Sequence, residues 1–421
     1  MNFARRTWSN PLNRNELSMP TSLKHKLRYK VHLPLQFAAD SLRVRMRAGA
    51  SAVTRILIAS DGLAFTSEQQ FAPLLASRGR IADELAVVFD QQMIDEVLAA
   101  GTISSKYSAV FAKLSFLTPE EEALDKIARL RRQFPANVKL VYFDGDDDLC
   151  VQWGGVLEHI DLYVKKHVFA DPSWYRKEFV GKNNLTDYVA RVSGRSFADN
   201  PIARSGTVPD SEAGKIFAAY NIGLDEKITD LYRDTRPALP SEKTVDVMCR
   251  AACAPDNWLY TLRGTVGAAL EPLARQGFKV LLPDRRVGQK EYYDEMRSSR
   301  ICISPFGYGE LCWRDFETVL MGSLLIKPDM SHVRTEPNIF VPGETYVPVK
   351  WDYSDLAEVC ARYLADDEAR NRIAAQAYSV LSDYYANSGF LKTFSKLLTQ
   401  AGVQPFARQM TANYAEVGLN S

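Results

Sequence analysis

The run Arg300-Ile-Cys-Ile-Ser-Pro-Phe-Gly-Tyr-Gly-Glu-Leu-Cys-Trp-Arg-Asp-Phe-Glu-Thr-Val-Leu-Met-Gly-Ser-Leu-Leu-Ile-Lys-Pro-Asp329 decides how this chain is read. Residues 301–304 form a short apolar run that Pro305 and a glycine-bearing turn bring to a stop. From 313 to 321 Phe316, Val319 and Leu320 fall on one helical face, and Gly322 ends that pattern before a second apolar run at 324–326. The unit reads as strand, loop, helix, strand. In an open parallel sheet ligands sit beyond the carboxyl ends of the strands, so the loop 305–314 and the first helical turn are expected to face a pocket.

The same residues carry a resemblance. Cys302-x-x-Pro305-x-Gly307, then Arg314-x-x-Glu317 and Gly322, is similar to the donor-binding segment of exostosin-like glycosyltransferases, which belong to the two-domain GT-B class. The match covers about 290–355, and 347–356 also resembles the family's closing segment. The resemblance implies α/β architecture, with two Rossmann-like parallel-sheet domains facing across a cleft. It implies that Glu317 holds the ribose of a nucleotide sugar, that Arg314 lies near the diphosphate, and that Ser304, Pro305, Gly307 and Tyr308 line the donor loop. Both roles are chemically sound: a carboxylate can accept from two ribose hydroxyls, and a guanidinium offers phosphate a planar fork of donors. Many retaining GT-B enzymes carry a second glutamate eight positions before the ribose glutamate. Here Gly309 holds that place and Glu310 stands one residue off, so Glu310 is not assigned to the donor sugar.

Working outward, 421 residues exceed what one hydrophobic core usually serves, so two domains are expected. The expected division is a basic extension over 1–52, an acceptor-side domain over 53–235, a donor-side domain over 236–385, and terminal helices over 386–421 that cross back. The linker is placed at 233–242, where Pro237 and Pro240 sit in a polar stretch. With 46% hydrophobic and 24% charged residues and a net charge of +1, the composition is that of a soluble globular protein and argues against general nucleic-acid binding. The charge is unevenly placed: residues 1–55 hold eleven Lys and Arg against Glu16 and Asp40. Such a segment is read as a solvated extension, though it could dock on anionic lipid or an acidic partner, or serve as a transit peptide. No run of about 18 apolar residues is present, so the expectation is a cytoplasmic enzyme, in contact with a membrane at most through the basic segment. Cys150, Cys249, Cys253, Cys302, Cys312 and Cys360 are scattered without C-x-x-C spacing, and neither a metal site nor a disulfide framework is expected.

In chain order, strands are expected at 54–59, 85–89, 109–114, 138–143 and 161–168, with helices between them, which implies a parallel sheet. The first strand runs into a loop carrying Asp61 and Glu68. The fourth runs into Phe143-Asp-Gly-Asp-Asp-Asp-Leu149, where Asp144 is the candidate functional acid and Asp146 to Asp148 read as a solvated turn. His167 is read as structural or exposed. Residues 176–240 are expected to be loops and short helices. In the second domain strands are expected at 244–248, 279–282, 301–304, 324–326 and 345–349, with 330–340 a loop and Ser354 a helix cap. Arg250 is a candidate diphosphate contact, and Arg263 a weaker one.

The leading reading is a glycosyltransferase that moves a sugar from a nucleotide donor, a UDP-sugar, to a hydroxyl of a glycan or lipid-linked acceptor, with inversion and with no cofactor beyond the nucleotide-sugar co-substrate. Asp61, Glu68 and Asp144 are the candidate bases. A nucleotide-sugar epimerase of the same architecture, or a non-catalytic nucleotide-sugar-binding protein, would use the same donor segment.

Overall fold

The computed structural model describes residues 28–49, 53–62, 67–101, 106–198, 207–251, 257–283, 285 and 287–404. They form two compact units: the described parts of Met1–Phe143, Gly155–Tyr163 and Leu398–Ser421, and the described parts of Asp144–Gly154 and Val164–Leu397.

The first unit is built on parallel strands in the order β2 (Val87–Met93), β1 (Thr54–Ser60), β3 (Ala109–Lys113) and β4 (Lys139–Asp144). Ile56 pairs with Phe89 on one side and Ala109 on the other, and Ala109 pairs with Lys139. Ile56, Leu57, Ile58 and Ala59 are wholly buried, as a strand covered on both faces requires, and their unbroken apolar run follows from that. The helix Leu33–Ala48 also belongs here. Its Leu33, Phe37 and Val44 are buried, Val44 in a cluster with Ala82, Ala86 and Val88, and Arg55 donates to the Ser41 hydroxyl at 2.8 Å. That half of the expected extension is therefore part of the fold, while residues 1–27 lie outside the described residues.

The second unit holds a five-stranded parallel sheet in the order β13 (Val347–Val349), β11 (Leu324–Pro328), β10 (Ser299–Ile303), β8 (Val245–Met248), β9 (Val280–Leu281). The single strand expected over 161–168 is two, β5 (Leu162–Lys165) and β6 (His167–Phe169), and β6 pairs antiparallel with β12 (Val333–Thr335) inside the segment read as a loop. Residues 176–240 hold β7 (Ile216–Ala218) and the helices Asn184–Ser193 and Glu226–Asp234. Asn183 caps the former by accepting from the Thr186 N–H at 2.9 Å. Leu185, Val189, Ile228 and Leu231 share a buried cluster with Phe316, Val319 and Leu320, which is why this region joins the second unit rather than the first. The proline stretch near 237 is not a free linker either, because the Ala238 N–H donates to the Met321 carbonyl at the end of the helix Trp313–Leu320. Asp355 rather than Ser354 occupies the N-cap position of the helix Leu356–Ala365, and its carboxylate accepts from the Lys350 N–H.

The crossover from β10 to β11 is tied by one buried carboxylate. Asp315, in the first turn of Trp313–Leu320, accepts from the Ser304 hydroxyl at 2.5 Å, the Cys312 N–H at 2.8 Å and the Lys327 ammonium at 3.1 Å, and both charged side chains are fully buried. Removing one member of a buried ion pair strands the other charge. Asp315→Asn should lower stability by about 3–5 kcal/mol in urea unfolding. Lys243 differs: it donates to the Met321 carbonyl at 3.0 Å and the Ser323 hydroxyl at 2.9 Å, and burial pushes its ammonium down to about 8 from an ordinary 10.5. Between those values the unfolded chain holds a proton that the folded chain has released, so stability rises with pH across that window. The gain is about 3 kcal/mol in total. Measured as the difference between wild type and Lys243→Met from pH 8 to 10.5, this rise should vanish in the variant.

Candidate functional site

The loop leaving β10 is shaped by close backbone contacts. Gly307 N–H donates to the Gly309 carbonyl at 2.9 Å, and Arg263 Nε donates to the Phe306 carbonyl at 2.7 Å. Arg263 thus braces the loop. Ser304 is consumed by Asp315, the Pro305 carbonyl lies 3.7 Å from Cys312 Sγ, and Tyr308 stands exposed with its ring 6.0 Å from that of Trp258.

Arg314 follows at the start of the helix, and it is the unusual member. Its Nε and Nη1 are shut from solvent and have no hydrogen-bond partner among the described residues. Burial works against its charge, but Tyr292, Cys312, Cys249 and Asp315 oppose that and hold the guanidinium protonated. A buried donor group with nothing to donate to costs about 1–3 kcal/mol, so this one stands ready for an anion. Arg250, the other candidate diphosphate contact, is engaged: both arms grip Glu295, at 2.8 and 2.6 Å. Glu317, one helical turn beyond Arg314 and buried, accepts from Tyr292 at 3.0 Å, Tyr293 at 3.1 Å and Lys227 at 2.6 Å. A carboxylate has about four lone-pair sites, so little acceptor capacity is left over.

On the other side of the loop lies an acid that the sequence reading set aside. Glu310 is fully buried and accepts from Asn184 Nδ2 at 2.7 Å, with His332 Nε2 at 3.3 Å and His167 Nε2 at ion-pair separation, 3.6 Å. Burial alone would raise its pKa, but the two imidazoles outweigh that and hold it well below the usual carboxylate range. Glu310 Oε2, both ring nitrogens of His167 and Asn184 Oδ1 lack hydrogen-bond partners among the described residues. His332 is boxed by aromatic rings, with Trp351 at 5.1 Å, Phe306 at 6.3 Å and Trp174 at 6.3 Å. His167 is 1% exposed, buried rather than on the surface.

The acidic turn is exposed at Asp147 but not at its other acids. Asp144 and Asp148 are each 1% exposed, Asp144 pairs with Lys165 at 2.6 Å, Lys182 bridges Asp146 and Asp148 at 2.5 and 2.8 Å, and Lys166 pairs with Asp147 at 2.7 Å. Charge balance explains the burial, and the paired lysines lie 19 to 36 positions further along the chain, where a local reading of the acids cannot see them. Asp144 is the counter-ion of a buried ammonium. Asp61 and Glu68 are in the first unit, where Asp61 directly follows β1 and accepts from the Ser67 hydroxyl and the Ser115 N–H. Among the described residues no group of three or more His, Cys, Asp or Glu is placed to hold a metal.

Set against known proteins, the chain matches no family model and no curated protein. Among solved structures, an alpha-glucosyltransferase in complex with UDP-glucose and DNA containing an abasic site is 9% identical, with a TM-score of 0.43 over 81% of this chain and 100% of that one. Anabaena HepE in complex with UDP is 11% identical, with a TM-score of 0.44 over 82% and 100%. TarM is 7% identical, with a TM-score of 0.40 over 73% and 57%. These likenesses are too distant to carry argument, and the chemistry rests on the geometry above.

That geometry makes one glycine indispensable. A Cβ on Gly309 would overlap the Asp147 backbone carbonyl, because the loop lies directly on the acidic turn. Backbone cannot step aside as a flexible side chain can. Gly309→Ala should lower stability by about 3 kcal/mol in urea unfolding, whereas alanine at exposed Gly288, with open space around it, should be near neutral.

Proposed function

We propose that this protein transfers a sugar from a nucleotide donor, a UDP-sugar, to a hydroxyl of a glycan or related acceptor. The observation that carries the reading is Arg314, a buried cation with two unpartnered donor atoms at the start of a helix. A diphosphate is the ligand such a group fits, being all acceptor and dianionic, and the positive end of the helix dipole adds to the attraction. In transfer, the acceptor hydroxyl attacks the anomeric carbon, the carbon–oxygen bond to phosphate breaks, and its electron pair leaves on the nucleoside diphosphate. Arg314 stabilises that departing charge, and Glu317 takes a ribose hydroxyl with its remaining acceptor site. The hydroxyl proton passes to a carboxylate. Since Asp144 is tied to Lys165, Asp61 and Glu68 are the bases to test. Inversion at the anomeric carbon goes with this proposal, and no resident cofactor is called for.

A thermal-shift screen against UDP-, GDP-, ADP- and CMP-sugars tests the donor site, since a ligand bound only by the folded chain raises its melting temperature. UDP-sugars should raise it by about 5 °C at saturation. Arg314→Met should melt no lower than wild type without ligand, because it removes an unpaired buried charge, yet should lose the shift. A wild type indifferent to every nucleotide, or an Arg314→Met that keeps the shift, overturns the assignment.

A further inference from the structure

The helix Leu33–Ala48 is apolar on two sides. Its inner side is spoken for by Leu33, Phe37 and Val44. On the outer side Leu35, Leu42 and Met46 are 66%, 59% and 73% exposed, and Val31, in the turn that leads into the helix, is 42% exposed. Positions 31 and 35 are four apart, as are 42 and 46, and 35 and 42 are seven apart, so the four fall on one stripe, opposite the buried face. Single exposed leucines are ordinary. Here four of the ten large apolar side chains that stand exposed among the described residues share one helix face, which makes a patch rather than scatter.

The surroundings of the stripe hold more basic than acidic groups. Lys30 and Arg45 are exposed and have no ion-pair partner among the described residues, and Arg47 shares Asp83 with Arg43. Beside the stripe, between this helix and β2, runs a groove of about 520 Å³ whose lining includes Leu42, Arg45, Gln91 and Lys106. Asp90 is shared by Arg55 at 3.0 Å and the half-exposed Lys106 at 3.4 Å, so one acid faces two cations, and Arg45 adds a third cation to the lining. The chain that leads into the helix adds Arg5, Arg6, Arg14, Lys24 and Lys26 against Glu16 alone. Among the described residues no helix is long and apolar enough to cross a membrane.

We infer that this face docks on an anionic lipid surface. The helix lies in the plane of the interface, Val31, Leu35, Leu42 and Met46 enter the acyl boundary, and Arg45 and Lys106 meet lipid phosphates at the groove. Charge selects this occupant over a second copy of the chain, since self-docking would set one basic border against its duplicate. The inference stands apart from the transfer reaction: it uses none of the residues placed at the donor loop, and either can fail without the other.

The test is co-sedimentation of the full chain with vesicles of phosphatidylcholine alone and of phosphatidylcholine with phosphatidylglycerol. Wild type should bind the anionic vesicles and leave the neutral ones. The triple variant Leu35→Glu, Leu42→Glu, Met46→Glu should lose anionic binding by about tenfold or more while keeping the wild-type circular dichroism spectrum, because these side chains face water. Arg45→Gln with Lys106→Gln should weaken it by about tenfold. Three results would overturn the inference: a wild type that ignores both vesicles; a triple variant that binds like wild type, meaning that the basic segment before the helix suffices; or a wild-type dimer in size-exclusion chromatography that the triple variant converts to monomer, meaning that a second copy covers the stripe.

Discussion

The loop after β10 depends on a carboxylate that never meets solvent. Asp315 draws together the end of β10 through Ser304, the start of the helix through the Cys312 N–H, and β11 through Lys327, with the Lys327 ammonium also 3.3 Å from the Ser304 carbonyl. Neither charge could be buried alone, for desolvation would exceed any packing gain. Held as a pair with a hydroxyl and an N–H to complete the acceptor set, they fix where the strand stops and where the helix begins. The residues on either side inherit that fixity. Arg314 is set by it directly, Glu317 rides one turn along the same helix, and Glu310 sits in the loop that the network closes.

The same logic recurs beneath the loop, where lysines 165, 166 and 182 meet Asp144 at the end of β4 and Asp146, Asp147 and Asp148 in the turn after it. Lys182 precedes the capping residue Asn183, and Asn184 reaches Glu310, so the helix Asn184–Ser193 is anchored to the acidic turn and to the loop by adjacent residues. Burial opposes the charges of Asp146, Asp148, Lys165 and Lys182, and each is held by a neighbour of opposite sign. Such completeness makes the floor stiff. It also explains the absence of a side chain at Gly309, which lies against the Asp147 backbone.

Most of the strands were legible from sequence because a buried parallel strand needs a near-continuous apolar run, and 56–59, 109–112 and 301–303 are such runs. What stayed hidden was long-range charge pairing. Asp146 to Asp148 look solvated when read alone, since acids cluster on surfaces by default; Asp147 is, but nothing within ten residues reveals the lysine that meets Asp146 and Asp148. Glu310 was set aside because its offset from Glu317 missed a spacing by one, yet a loop can absorb one residue in a way that a helix cannot. His167 and His332 became its neighbours through pairing of β6 with β12, which no local pattern announces. The outer stripe on Leu33–Ala48 was within reach of periodicity, but over 1–55 the weight fell on charge.

Most charged groups buried in the second unit are paired among the described residues, which gives meaning to polar atoms that are not. Two sets of these lie on and next to one loop, in Arg314 and around Glu310. Arg314 offers only donors. The other set, Glu310 Oε2, Asn184 Oδ1 and the His167 ring, is rich in acceptors. One small anion could satisfy the first set and would be repelled by the second, and a neutral polyol would do the reverse. A molecule with phosphate oxygens at one end and hydroxyl groups at the other answers both, at the cost of no new protein charge. A sugar joined to a nucleoside diphosphate has that polarity built in, so the proposal rests on the pattern of what the fold leaves unsatisfied as well as on the arginine alone.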